Sequence, residues 1–197
     1  QAPPATPAKI KKSNFNITNP IKSYEEKISD VANLAPAEKS PRLACLKALH
    51  AAAKLNSGLV IGADTIVVDG DEILGKPKNR EDAERMLRSL SGKKHQVISG
   101  IAIVNAETKK TYSHAEITDV YFRHLTDKDI ETYLNTDEPY DKAGAYGIQG
   151  HASLFVERIE GCYFNVVGFP VVAFNMLMKI AGYDLVDFMT TNSENKK

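Results

Sequence analysis

The chain has no tryptophan, only two cysteines and no excess of either charge. Lys+Arg and Asp+Glu both count 25, which argues against a broad basic nucleic-acid surface and leaves room for a local basic pocket. Cys45 and Cys162 lie far apart with no partner spacing. That suits a reduced, cytoplasmic compartment and not a disulfide framework. His50, His95, His114, His124 and His151 form no H-x-x-x-H or Cys/His pattern, which argues against a structural zinc site. No apolar run approaches ~18 residues, so no transmembrane helix is expected. The opening Gln1-Ala-Pro-Pro-Ala-Thr-Pro7 lacks the apolar core of a signal peptide, and the missing initiator Met suggests a processed or excised chain.

What is present is an ordinary globular composition. Over 197 residues, 43% are apolar and 25% charged, enough for one domain with a sizeable core and room for two lobes. Residues 1–12 read as extended or disordered, 13–189 as a single domain and 190–197 as a polar tail. Phe15-Asn-Ile17 reads as a short strand, and Tyr24–Asp30 as a loop or helical turn. Ser40-Pro41 offers an N-cap and a first-turn proline for a helix running to about Leu55, which Asn56-Ser57-Gly58 ends. Leu59–Gly62 reads as a short buried strand, and Thr65–Val68 and Glu72–Leu74 flank the hairpin signal Asp69-Gly70.

Asn79 with Asp82 caps a helix to Ser91, and Thr126 with Asp129 resembles a capping box for a helix to about Asn135. His95–Asn105, Thr111–Arg123, Ser153–Ile159 and Tyr163–Val167 are strand candidates, and Pro170 opens a last apolar helix ending near Gly182. This mixture predicts an α/β or α+β domain on a mixed sheet, with the site in a cleft beside it.

Several residues are candidates for chemistry. Asp64, in Val60-Ile-Gly-Ala-Asp-Thr-Ile-Val-Val68, follows an apolar run. A carboxylate there can bind a divalent cation or orient a water, or simply bond its own backbone in a turn. Gly62 permits close backbone approach, and the Thr65 hydroxyl can donate to a phosphate or a base edge. Lys76, held between Gly75 and Pro77, suits a polyphosphate, or an edge lysine that discourages aggregation. Lys47, among Leu43, Leu46 and Ala48, is either a snorkelling side chain or a second phosphate ligand.

The stretch Asp141-Lys-Ala-Gly-Ala-Tyr-Gly-Ile-Gln-Gly150 implies tight backbone geometry around Lys142 and Gln149. The Gln149 amide can read a nucleobase edge or stand exposed on a loop. Asn165 reads as fixing a turn. Glu25 and Glu26 offer a second metal carboxylate or an exposed acidic pair.

Taken in order, Ala44-x-x-Lys47-Ala48, Gly62-Ala-Asp-Thr65, Leu74-Gly-Lys-Pro77, Asp82-Ala83 with Leu90-Ser-Gly92, His95-x-Val97, Asp141–Gly150, Ile159-Glu-Gly161 and Asn165-Val-Val-Gly168 form a specific set. With them the chain resembles the Maf family of nucleoside triphosphate pyrophosphatases, within the inosine-triphosphatase-like superfamily. The Tyr-Gly-Ile-Gln segment looks like the branch acting on dTTP and UTP. The resemblance implies a Maf-like α/β fold of two lobes around a substrate cleft. It also implies cleavage between the α and β phosphates and a Mg²⁺ or Mn²⁺ cofactor. Asp64 would then be the catalytic general base close to the metal, Lys47 and Lys76 phosphate-binding residues, and Thr65 and Gln149 positions linked to base choice. Glu26 would match an upstream acidic metal residue, and the family suggests a homodimer, with neither nucleic acid nor membrane as partner.

The front departs from that pattern. Maf proteins begin with an apolar strand and a Ser-x-Ser-Pro-Arg-Arg loop, whereas Pro3, Pro4 and Pro7 cannot supply a central strand. Ser40-Pro41-Arg42 copies the loop only superficially and belongs to the following helix. The expected consequences are exposed strand edges and weaker triphosphate binding, hence reduced activity. The same departure motivates a rival reading, a catalytically weak or silent nucleotide-binding or regulatory protein.

Overall fold

A computed structural model describes residues 16–18, 31 and 33–189. The expected extended front, the Tyr24–Asp30 loop, Glu25, Glu26 and the polar tail lie outside the described residues. Among the described residues six strands form one sheet: β1 (Asn16–Thr18), β2 (Leu59–Asp69), β3 (Glu72–Leu74), β4 (Lys94–Asn105), β5 (Thr111–Phe122) and β6 (Val156–Glu160). Their order is β1-β5-β4-β2-β3, with β6 also on β5. The α/β reading holds; every pairing among the described strands is antiparallel, so no parallel component of a mixed sheet is found among them. The expected cleft lies beside this sheet.

Strand β4 is buried on both faces along most of its length, as a central strand should be. The β2–β3 hairpin turns at Gly70-Asp71, one residue beyond the expected Asp69-Gly70, because Asp69 is still paired with Glu72 and Gly70 takes the left-handed position at φ 60. Strand β3 covers only Val67–Asp69 of β2. Residues 59–66 therefore have β4 on one side and no partner strand among the described residues on the other.

The α-helices with both ends among the described residues are, in chain order, α1 (Pro36–Ala52), α2 (Arg80–Leu90), α3 (Asp127–Leu134), α4 (Tyr163–Val167), α5 (Val171–Ile180) and α6 (Leu185–Met189). Helix α1 crosses one sheet face, where its Ala44, Ala48 and Ala52 meet Ala102 and Val104. The other face carries two apolar clusters. One joins Val67, Val97, Val120 and Phe122 to α2, α3 and the Gly-rich segment. The second joins Ile101, Ile103 and Tyr112 to α5. The cleft opens on this second face.

Local signals place some boundaries well. Asn79 caps α2 by accepting from the Asp82 N–H, and Thr126 with Asp129 forms the full capping box of α3. Others are corrected. Helix α1 starts at Pro36 after Ala35, so Ser40 is not its N-cap. Proline at the first turn works equally well at Pro36. Pro41 sits inside the helix and forfeits one helical hydrogen bond; it is buried where α1 crosses Gly100.

Leu59–Gly62 and Thr65–Val68 are one continuous strand, and Ile61 on it is 48% exposed, so this part is not buried on both faces. Tyr163–Val167 is a helix, ended by Gly168 in the left-handed region at φ 118. Its strand-like composition yields to Asn165. That side chain is fully buried and donates from Nδ2 to Val97 O and Thr118 Oγ1, both at 2.9 Å. Residues 151–155 form a 3-10 turn, so β6 starts only at Val156. Helix α6 follows the apolar α5, which is therefore not the last.

His95 on β4 is 1% exposed. Its Nε2 lies 2.8 Å from Tyr146 Oη, and it meets the Phe122 and Tyr146 rings edge-on. Burial pushes its pKa down to about 4, below the ordinary ~6.5 of an exposed imidazole. The unfolded chain therefore binds a proton that the fold refuses, and stability must fall as pH drops from ~6.5 toward ~4. Denaturant titrations should show a loss of up to about 3 kcal/mol across that window, and a flatter profile in His95→Gln. The same slope in both proteins would show that His95 does not carry the effect.

Candidate active site

The site is built on β2, where Asp64 and Thr65 are adjacent and so project to opposite faces of the sheet. On the α1 face, Lys47 Nζ lies 2.6 Å from Asp64 Oδ1 and donates at 3.4 Å to Ala63 O. Ser40 Oγ donates to Asp64 O at 2.8 Å, fixing the backbone beneath the carboxylate. The Asp64 side chain is only 14% exposed while Lys47 is 54% exposed, so a shielded carboxylate sits behind an open ammonium.

On the other face, a cleft of about 480 Å³ is lined by Thr65, Lys76, Glu138, Lys142, Gln149 and Gly168, among others. The turn carrying Lys76 is tied to the Gly-rich segment by Gly144 N donating to Gly75 O at 3.1 Å. Gly144 adopts φ 70, and a Cβ there would come within 3.0 Å of the Val67 side chain, a conformation and a closeness that favour glycine.

Glu138 fastens the Gln149 loop. Both its carboxylate oxygens accept from the His151 N–H, at 3.0 and 2.9 Å, and His151 Nδ1 lies 2.6 Å from Oε1. Burial pushes the Glu138 carboxyl up, but the His151 N–H and ring outweigh it and hold it below the ordinary glutamate value. Near Lys76, Asp141 is held low chiefly by the Lys142 ammonium, with Lys76 contributing.

Five sequence candidates thus fall into two adjoining groups. Lys76, Thr65 and Gln149 meet at the cleft. Asp64 and Lys47 pair across the strand and are not part of its lining. Consecutive Cα atoms are ~3.8 Å apart, so the two groups adjoin at the side of β2 that has no strand partner among the described residues. Asn165 does more than fix a turn, since it ties α4 to two strands.

Sequence reasoning missed Ser40, Glu138, Ser99 and the Gly168 carbonyl. Ser99 had one visible signal, a lone hydroxyl inside the apolar run Val97–Ile103. Among the described residues no group of three or more His, Cys, Asp or Glu side chains stands ready to chelate an ion. The site offers a divalent cation only separate single carboxylates, Asp64 on β2 and Glu138 and Asp141 in the cleft lining. That suits Mg²⁺, which usually takes one or two carboxylates and completes its shell with phosphate and water.

Fold and site together define an α/β protein whose sheet edge carries one shielded carboxylate, two lysines and a small-residue loop. The chain belongs to the Maf-like protein family, whose match spans residues 7–181. It is 44% identical over 171 residues to a dTTP/UTP pyrophosphatase of Carboxydothermus hydrogenoformans, covering 87% of this chain and 89% of that protein. It is 51% identical over 156 residues to the dTTP/UTP pyrophosphatase of Alkaliphilus oremlandii, covering 79% and 80%. The Desulforamulus reducens protein of the same description is 44% identical over 168 residues, covering 83% and 88%. No helix among the described residues is long and apolar enough to cross a membrane.

Proposed function

We propose that the chain is a nucleoside triphosphate pyrophosphatase that hydrolyses dTTP and UTP to the nucleoside monophosphate and pyrophosphate. The observation that carries this reading is the Lys47–Asp64 pair standing one residue along β2 from the Thr65–Gln149 cleft. The base occupies the cleft, and the triphosphate runs past the outer side of β2 toward Asp64.

Asp64 takes the proton of the attacking water as general base. The water oxygen bonds to the α phosphorus, the bridge to the β phosphate breaks, and pyrophosphate leaves. Lys47 and Lys76 bear on the phosphates, where fixed ammonium groups stabilise the charge growing on the leaving group. Asp64 and, in the family pattern, Glu26 would hold a Mg²⁺ or Mn²⁺, which would supply further charge neutralisation on the phosphate oxygens. The reading includes residues 13–189 as one catalytic domain acting in the cytoplasm on free nucleotide, with a homodimer as its assembly. No particular contact favours the silent-binder reading.

The test is pyrophosphate release from a nucleotide panel with Mg²⁺ or Mn²⁺, beside the Carboxydothermus relative. Turnover of dTTP and UTP is expected. Absence of turnover on every nucleotide would remove the proposed activity.

A further inference from the structure

Behind Thr65 lies a hydrogen-bond chain that is short of protons. Thr65 Oγ1 is 2.8 Å from Ser99 Oγ and 3.2 Å from Gly168 O, and Ser99 Oγ is 3.1 Å from Asn165 O. These three contacts share two hydroxyl protons, and the carbonyls at both ends can only accept. One contact must therefore go without a proton. Asn165 O already accepts the Gly168 N–H at 3.0 Å. Thr65 is the one donor found on Gly168 O among the described residues. The contact that can go without a proton is thus Ser99–Asn165, which leaves the Ser99 proton for Thr65, while Gly168 O depends on Thr65 or on a donor from the cleft.

The parts are rigidly held. Ser99 is fully buried in β4, and Asn165 anchors α4 to the sheet. Gly168 at φ 118 sets the carbonyl in a conformation that disfavours other residues. Thr65 and Gly168 both line the cleft. If the Thr65 hydroxyl turns outward, Ser99 can donate to it from behind, and Gly168 O is released. The wall then shows a donor and an acceptor side by side.

Resting on the proposed activity, we infer that Gly168 O accepts the imide N3–H of a uracil or thymine ring while Thr65 Oγ1 donates to the neighbouring ring carbonyl, with Ser99 as the positioning residue behind it. A uracil edge offers an acceptor and a donor in adjacent positions. Cytosine in the same pose turns a lone pair at N3 toward the Gly168 carbonyl and leaves that oxygen unpaired. Sites built to bond a substrate N–H reject analogues lacking it far more strongly than apolar pockets reject a methylene.

The experiment compares UTP, CTP and N3-methyl-UTP in turnover, and the α,β-methylene analogues of UTP and N3-methyl-UTP in calorimetric binding, where cleavage plays no part. N3-methylation should weaken binding and kcat/KM by at least about 10²-fold. Ser99→Ala should raise KM for UTP more than it lowers kcat and should shrink the UTP/CTP ratio, and Ser99→Thr should restore both. Equal binding of the methylated and unmethylated analogues overturns the relay even if UTP is hydrolysed. An unchanged UTP/CTP ratio in Ser99→Ala removes Ser99 from it. Tight, N3–H-dependent binding without any turnover sinks the pyrophosphatase reading and supports the relay. No binding of α,β-methylene-UTP sinks both.

Discussion

Replacing Asp64 with asparagine is expected to abolish measurable pyrophosphate release, a fall of about 10²–10⁴-fold for loss of a positioned general base. The substitution keeps shape and removes charge and basicity. Asparagine Oδ1 can still accept from Lys47, whose Nζ stands 2.6 Å away in the native pair. The bond from Ser40 to the carbonyl of residue 64 involves only backbone and survives. The melting temperature should therefore move little, and binding of α,β-methylene-UTP should persist. A folded Asp64→Asn protein that still turns over UTP at the native rate would remove Asp64 as the essential residue. The other half of the site, around Thr65 and Gln149, would then need a different base.

Signals confined to a few neighbouring residues were legible. The Asp69-Gly70 signal placed the hairpin to within one residue, and the Asn79 and Thr126 caps satisfy N–H groups within their own helices. Elements decided by distant partners were not. Tyr163–Val167 is rich in strand-forming residues, yet Asn165 and Gly168 hold it as a helix against two strands. Gly62 and Asp64 suggested a break in β2 because both are poor strand formers. The strand runs through them because α1 needs a residue without a side chain at position 62. Misreading that break hid the main feature of the site. Only an unbroken strand puts Asp64 and Thr65 on opposite faces, so residue types were readable while their division between two faces was not. Ser99 stayed hidden for a related reason, since its partners Thr65 and Asn165 come from other elements.

Gly100→Ala is expected to destabilise the fold strongly and to disturb catalysis with it. A Cβ on Gly100 would lie 2.2 Å from both Pro41 N and Ser40 C, and 2.4 Å from Pro41 Cα. These are backbone atoms of α1, so no rotamer change relieves the clash; the helix itself must lift. Gly62 makes the same demand one strand over, with Ala44 O at 2.2 Å. The small side chains of Ala44, Ala48, Ala52 and Ala102 complete a layer that permits this close approach. Overpacking of a tight core costs about 1–3 kcal/mol, a Tm fall of roughly 2–12 °C for a chain of this size. A Cβ on Gly75 would meet nothing within 4 Å, so Gly75→Ala should stay within about 0.5 kcal/mol of native stability. The displacement in Gly100→Ala would also separate Ser40 and Lys47 from Asp64, because all three contacts depend on where α1 rests. Turnover at about 20 °C, below the lowered Tm and with the variant still folded, should thus fall as well. Native stability in Gly100→Ala would mean that α1 does not pack this closely on the sheet, and the Lys47–Asp64 pair would lose its structural support.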